Sequence, residues 1–117
     1  MLPIFQGRTI LVVEDEALIA DELRDLGGNA LVATQLRQAT ELARTAAIDA
    51  AIVDYALKDG KTSGLCATLS LRCIPFVVYS GYGDLVQFPT HAVVILKPAP
   101  VRDVLGKLAE LLGQSRA

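Results

Sequence analysis

Three carboxylates, a hydroxyl and an amine occupy equivalent places along this sequence. Glu14 and Asp15 follow the apolar run Ile10 to Val13, Asp54 follows Ala50 to Val53, Ser80 follows Phe76 to Tyr79, and Lys97 follows Val93 to Leu96. Carboxylates crowded within a few ångströms repel one another and stay ionised only if a cation compensates them. Oxygen donors without thiolate or imidazole favour a hard divalent ion, Mg2+, whose octahedral shell also accepts water and phosphate oxygens. A carboxylate beside Mg2+ and an ammonium can attack phosphorus, because the cations stabilise the charge on the equatorial oxygens during transfer. Asp54 is then the nucleophile, Lys97 binds the anion and Ser80 hydrogen-bonds the new phosphoryl group. Singly, such residues after a strand are mostly solvated loop and turn positions. Their joint placement is the informative feature, since a structural role predicts no preference for one edge of successive strands.

For these residues to meet, the apolar runs must be strands of one parallel sheet. The four runs, with a weaker fifth at Leu31 to Ala33, do not alternate apolar with polar, which suits parallel strands covered on both faces. Amphipathic helices lie between them: Ile19, Leu23 and Leu26 before the stop signal Gly27-Gly28, then Leu36, Ala39, Ala43 and Ala46, then Ser63 to Leu71. Val101, Val104, Leu105, Leu108, Leu111 and Leu112 make a final helix opened by Pro100. A repeating βα order predicts an α/β fold, a doubly wound five-stranded parallel sheet, in which residues past the strand C-termini share one crevice. Only about a dozen residues separate Ser80 from Val93, and Gly81, Gly83 and Pro89 are among them, so the fourth helix is expected to be shortened or missing.

Length and composition restrict the alternatives. A chain of 117 residues suits a single domain spanning 1–117, with its core at about 9–112. The formal charge of −2 lacks the basic footprint of a nucleic-acid binder, so no direct nucleic-acid contact is expected. No apolar run approaches the roughly 20 residues of a membrane span, and Met1 to Gly7 lacks the form of a signal peptide. The expectation is a cytoplasmic protein with no membrane contact. Cys66 and Cys73, with Leu69 between them, are read as reduced core side chains on one helix face, and His91 receives no role.

Together these residues resemble the receiver domain of two-component response regulators. The resemblance is carried by Glu14-Asp15 after Ile10-Leu11-Val12-Val13, Asp54 after Ala51-Ile52-Val53, Ser80 after Val77-Val78-Tyr79, and Lys97-Pro98 after Ile95-Leu96. It runs from about Thr9 to Leu112 and implies the flavodoxin-like strand order 2-1-3-4-5. It further implies Asp54 as phosphoacceptor, Asp15 and the Ala56 carbonyl as direct Mg2+ ligands, Glu14 as a ligand through water, and Ser80 and Lys97 as contacts of the phosphoryl group. The donor would be the phosphohistidine of a histidine kinase or phosphotransfer protein, the receiver would catalyse its own phosphorylation and dephosphorylation without a separate enzymatic output, and the Lys97-Pro98 bond would be cis. An unidentified downstream protein, or a second copy in a homodimer, would read the signal. Ser80-Gly81-Tyr82-Gly83 also resembles, in part, single-domain receivers with a Phe-Ala-Thr-Gly-x-Tyr motif.

Departures from the family pattern affect signalling more than chemistry. Val94 stands at the switch position, where many receivers carry an aromatic side chain that rotates on phosphorylation. Lys58 stands where the family commonly has Pro, and Tyr82 and Ala56 flank the path of water to an acyl phosphate, where they would modulate its lifetime. Two other classes of function fit these residues less well. A degenerate receiver acting only as an interaction module has no need of the retained acidic residues, Ser80 and Lys97. An aspartyl phosphohydrolase usually has a second Asp two residues after the nucleophile, and here that position is Ala56.

Overall fold

The structure, a computed structural model, describes residues 3–14, 17–57, 59–81 and 93–114. In chain order the elements are β1 (Thr9–Val13), α1 (Ala17–Asp25), β2 (Asn29–Ala33), α2 (Leu36–Thr45), β3 (Ala50–Asp54), β4 (Ala56–Leu57), β5 (Gly60–Lys61), α3 (Ser63–Leu71), β6 (Phe76–Ser80), β7 (Val93–Leu96) and α4 (Val101–Gln114). Five strands form one parallel sheet in the order β2-β1-β3-β6-β7, which is 2-1-3-4-5 when only that sheet's strands are counted. The short pair β4-β5 is a separate antiparallel hairpin inside the loop after Asp54. The segment in which a shortened fourth helix was expected, 82–92, lies outside the described residues.

Period-two alternation divides each central strand between two cores. Leu11, Val13, Ala51, Val53 and Val78 face Ala39, Ala43, Leu65, Cys66 and Leu69 of α2 and α3. Ile10, Val12, Ala50, Ile52 and Val77 face Ile19, Leu23, Val104, Leu105, Leu108 and Leu112 of α1 and α4. Both faces of β1, β3 and β6 are therefore dry, which explains their unbroken apolar runs. Burying each Val, Leu or Ile side chain contributes about 1.5–3 kcal/mol before the cost of ordering the chain. Among the described residues no helix is long and apolar enough to cross a membrane.

Two of the three described helices that lead into strands of the sheet, α1 and α3, stop in the same way. After α1, Gly27 N–H donates to the Arg24 carbonyl at 3.0 Å and Gly28 N–H to the Leu23 carbonyl at 2.9 Å, with Gly27 at φ +87°. After α3, Cys73 N–H donates to Ser70 at 3.0 Å and Ile74 N–H to Leu69 at 2.9 Å, with Cys73 at φ +58°. Both are Schellman closures, in which the residue after the cap is left-handed and usually glycine. This corrects the expectation for Cys73: it is exposed beyond the helix end, whereas Cys66 is buried. Burial pushes the Cys66 thiol up to about 11, so it is a core thiol.

A left-handed L-residue costs about 1–2 kcal/mol. Cys73→Gly removes that strain but loosens the unfolded chain. We expect a net gain of about 0.5–1 kcal/mol, read as a higher urea midpoint with an unchanged slope. A Cys73→Val variant should move the midpoint the other way, and equal midpoints for the two would show that backbone strain is not involved.

Candidate functional site

The C-terminal ends of four parallel strands carry the polar residues singled out in the sequence. Asp54 ends β3 and Ser80 ends β6, while Glu14 and Lys97 are the residues immediately after β1 and β7. The ladders fix their relative height: Val13 lies opposite Val53, Asp54 opposite Tyr79, and Ser80 opposite Leu96. Because the strands are parallel, chain direction alone places these four residues at one edge.

Lys97 is the centre of the cluster. Its Nζ donates to Asp54 Oδ2 at 2.9 Å and stands 3.4 Å from Glu14 Oε2. The Glu14 and Asp54 side chains are only 2% and 12% exposed, against 33% for Lys97. Burial alone would lower the lysine pKa, but the hydrogen bond and charge of Asp54, with Glu14 added, outweigh it and raise it. The amine is therefore fully charged at neutral pH. Its Nζ also lies 4.9 Å from the centre of the Tyr79 ring, a cation–π distance. The Lys97-Pro98 peptide is cis, and Lys97 N–H donates to the Ser80 carbonyl at 2.7 Å. Ser80 is fully buried, and its hydroxyl donates to the Gly81 carbonyl at 3.0 Å.

Thus Glu14, Asp54 and Lys97 meet directly, and Ser80 is tied to the same strand end through the Lys97 backbone. Asp15, Lys58, Tyr82 and His91 lie outside the described residues. Among the described residues no group of three or more His, Cys, Asp or Glu could hold a metal ion; two carboxylates are gathered, and the adjacent Asp15 is the third of the sequence reading. Val94, at the position of the absent aromatic, is a half-buried aliphatic residue packed against the α2–α3 core.

Two residues that sequence reasoning passed over fix the loop after Asp54. Thr62 is fully buried; its hydroxyl lies 2.9 Å from the Asp54 carbonyl and 2.8 Å from that of Tyr55, to which its N–H also donates at 2.8 Å. Asp59 reaches the N-terminus of α2, where its carboxylate accepts from Leu36 N–H at 2.9 and 3.1 Å. The helix has no cap of its own, since Gln35 makes no side-chain cap bond. A carboxylate at a helix N-terminus satisfies an orphan donor and meets the positive end of the dipole. Gly60 completes the fit, because a Cβ there would lie 2.9 Å from Leu36 Cδ2. The loop carrying the Ala56 carbonyl is thereby held at both ends.

Removing this cap should be measurable. Asp59→Ala is expected to cost about 1 kcal/mol, seen in urea unfolding, and Asp59→Asn about half as much, since it keeps an acceptor but loses the charge. No loss in Asp59→Asn would argue against the dipole contribution, and equal loss in both variants would argue against the neutral hydrogen bond.

No protein-family model matches the sequence, and no curated protein matches it at a significant level. Solved structures do match. A response regulator receiver protein from Sinorhizobium medicae WSM419 superposes with a TM-score of 0.82 at 21% identity, covering 92% of this chain and 96% of its own. SdrG from Sphingomonas melonis Fr1 is 33% identical with a TM-score of 0.70, covering 96% and 99% of the two chains. The receiver domain of the sensor histidine kinase PA1611 from Pseudomonas aeruginosa PAO1, solved with a magnesium ion coordinated in its active-site cleft, gives a TM-score of 0.77 at 21% identity over 92% and 98%.

Proposed function

Because this chain belongs to the receiver domains of response regulators, we propose that Asp54 accepts a phosphoryl group from the phosphohistidine of a histidine kinase or phosphotransfer protein. A downstream protein then distinguishes the phosphorylated form. The observation that carries this reading is the Lys97 ammonium 2.9 Å from Asp54 Oδ2 and 3.4 Å from Glu14 Oε2 at the C-terminal edge of the sheet. A loop carboxylate with only a structural role needs no buried acidic neighbour competing for the same amine.

Mg2+ suits the donor set. Two nearly buried carboxylates share one ammonium, so the described cluster keeps an excess negative charge, and its donors are hard oxygens. Glu14, Asp15, Asp54 and the Ala56 carbonyl would hold the ion, which when bound supplies positive charge to the phosphoryl oxygens.

In the transfer itself, a carboxylate oxygen of Asp54 forms the new O–P bond as the P–N bond to the donor imidazole breaks, and the nitrogen leaves with the electron pair. Lys97 shifts from the carboxylate to a phosphoryl oxygen, neutralising charge as it develops. The Ser80 hydroxyl turns from the Gly81 carbonyl and donates to another phosphoryl oxygen. Thr62 holds the Asp54 carbonyl, so the nucleophile's backbone stays in place. Tyr82 and Ala56 would then set the access of water to the acyl phosphate.

Treatment of the full chain with acetyl phosphate and Mg2+, followed by intact mass measurement, tests this. One labile phosphoryl group per chain is expected. No adduct would favour an interaction-only module, and many turnovers per chain with no accumulated adduct would point to a phosphohydrolase.

A further inference from the structure

Tyr79 touches both the amine of the site and the backbone that leads into α4. It is 6% exposed, and its ladder partner is Asp54. The centre of its ring lies 4.9 Å from Lys97 Nζ. Its hydroxyl donates to the Ala99 carbonyl at 3.1 Å and accepts from Ala99 N–H at 3.3 Å. Ala99 is followed by Pro100, whose carbonyl accepts the first helical bonds of α4 from Asp103 at 3.0 Å and Val104 at 3.3 Å.

A tyrosine that merely filled the core would need one partner for its hydroxyl. Here the hydroxyl takes both backbone groups of one residue, and leaving either unmade in a buried site is costly. Ring and Ala99 must therefore move together. At the other end, the ammonium has three donors and no acceptor. Asp54 and Glu14 draw it from one side, and the electron-rich ring face attracts it from another.

We propose that Tyr79 is a positioning residue for Lys97 and couples the state of Asp54 to the start of α4. This rests on Asp54 being the phosphoacceptor. A phosphoryl group carries its oxygens farther from the Asp54 backbone than Oδ2 stands now. The ammonium must relocate to meet them, and its contact with the ring changes. The ring is anchored on Ala99, so the change reaches the first turn of α4. Val94 has no polar tip with which to make such a link.

The test is a titration of the full chain with beryllofluoride and Mg2+, followed by NMR of the Ala99 and Val101–Leu105 amides and the Tyr79 ring. In the parent, adduct formation should shift all of these signals. Tyr79→Phe keeps the ring beside Lys97 but loses the hydroxyl, so the adduct should still form while the α4 shifts disappear. Tyr79→Leu loses the ring as well, and its affinity for the beryllofluoride should fall by about three- to tenfold. Parent-like α4 shifts in Tyr79→Phe would overturn the proposal even if Tyr79→Leu does not fold. Adduct formation in the parent with no α4 response would do the same while leaving the phosphoacceptor reading intact. No adduct in the parent would remove that reading, and this proposal with it.

Discussion

Lys97→Met should slow phosphorylation of Asp54 by acetyl phosphate about 10²- to 10³-fold, the usual effect of deleting one preorganised charge stabiliser. The same substitution should also destabilise the fold, because it leaves Glu14 and Asp54, with side chains 2% and 12% exposed, without their shared cation. Breaking a fully buried ion pair costs about 3–5 kcal/mol. Lys97 is 33% exposed, and solvent screening should reduce this to about 1–2 kcal/mol. Methionine keeps most of the apolar stem, so the loss reports charge more than packing. Mg2+ should raise the urea midpoint of Lys97→Met more than that of the parent, since a ligand that binds only the folded state stabilises it. A variant as stable as the parent and indifferent to Mg2+ would show that the carboxylates do not depend on the amine.

Asp54→Asn should separate chemistry from stability. It removes the nucleophilic oxygen, and no covalent adduct should form with acetyl phosphate at any Mg2+ concentration. Its stability should stay within about 1 kcal/mol of the parent, because losing the closer partner of Lys97 also removes one of two carboxylates competing for it. Intact mass and urea unfolding on the same sample give both readings. A phosphoryl group retained in this variant would place the acceptor elsewhere and end the assignment to Asp54.

These two variants concern residues that the sequence itself singled out, and the reason they could be found is geometric. In a parallel sheet every strand points the same way, so the residue after each apolar run must lie at the common edge. The runs were readable because β1, β3 and β6 are covered on both faces, which forbids polar interruptions. Helix extents were largely readable too: Ser63 to Leu71 agrees with the structure, and the last helix, expected to open at Pro100, begins one residue later at Val101.

The reading of Cys73 shows how such a pattern misleads. Its spacing from Cys66 and Leu69 continues the helical stripe, but α3 ends at Leu71. Pro75 supplied a stop signal, since its ring would clash with the carbonyl of Leu71 in a continued helix. No glycine marked the left-handed position, so the Schellman closure was invisible without coordinates. The β4-β5 hairpin was likewise unmarked, being only two residues per strand.

Taken by itself, the sequence determined the doubly wound sheet and the meeting of Glu14, Asp54, Ser80 and Lys97 at one edge, because periodicity and chain direction are local properties that add up along parallel strands. Only the tertiary structure decided how that edge is held. Asp59 caps a helix that begins at Leu36, Thr62 binds the carbonyls of Asp54 and Tyr55, and Tyr79 joins Lys97 to Ala99. These links are directional contacts between backbone and side chains distant in sequence. No residue type or spacing encodes them, and they exist only once packing has brought the partners within hydrogen-bond reach.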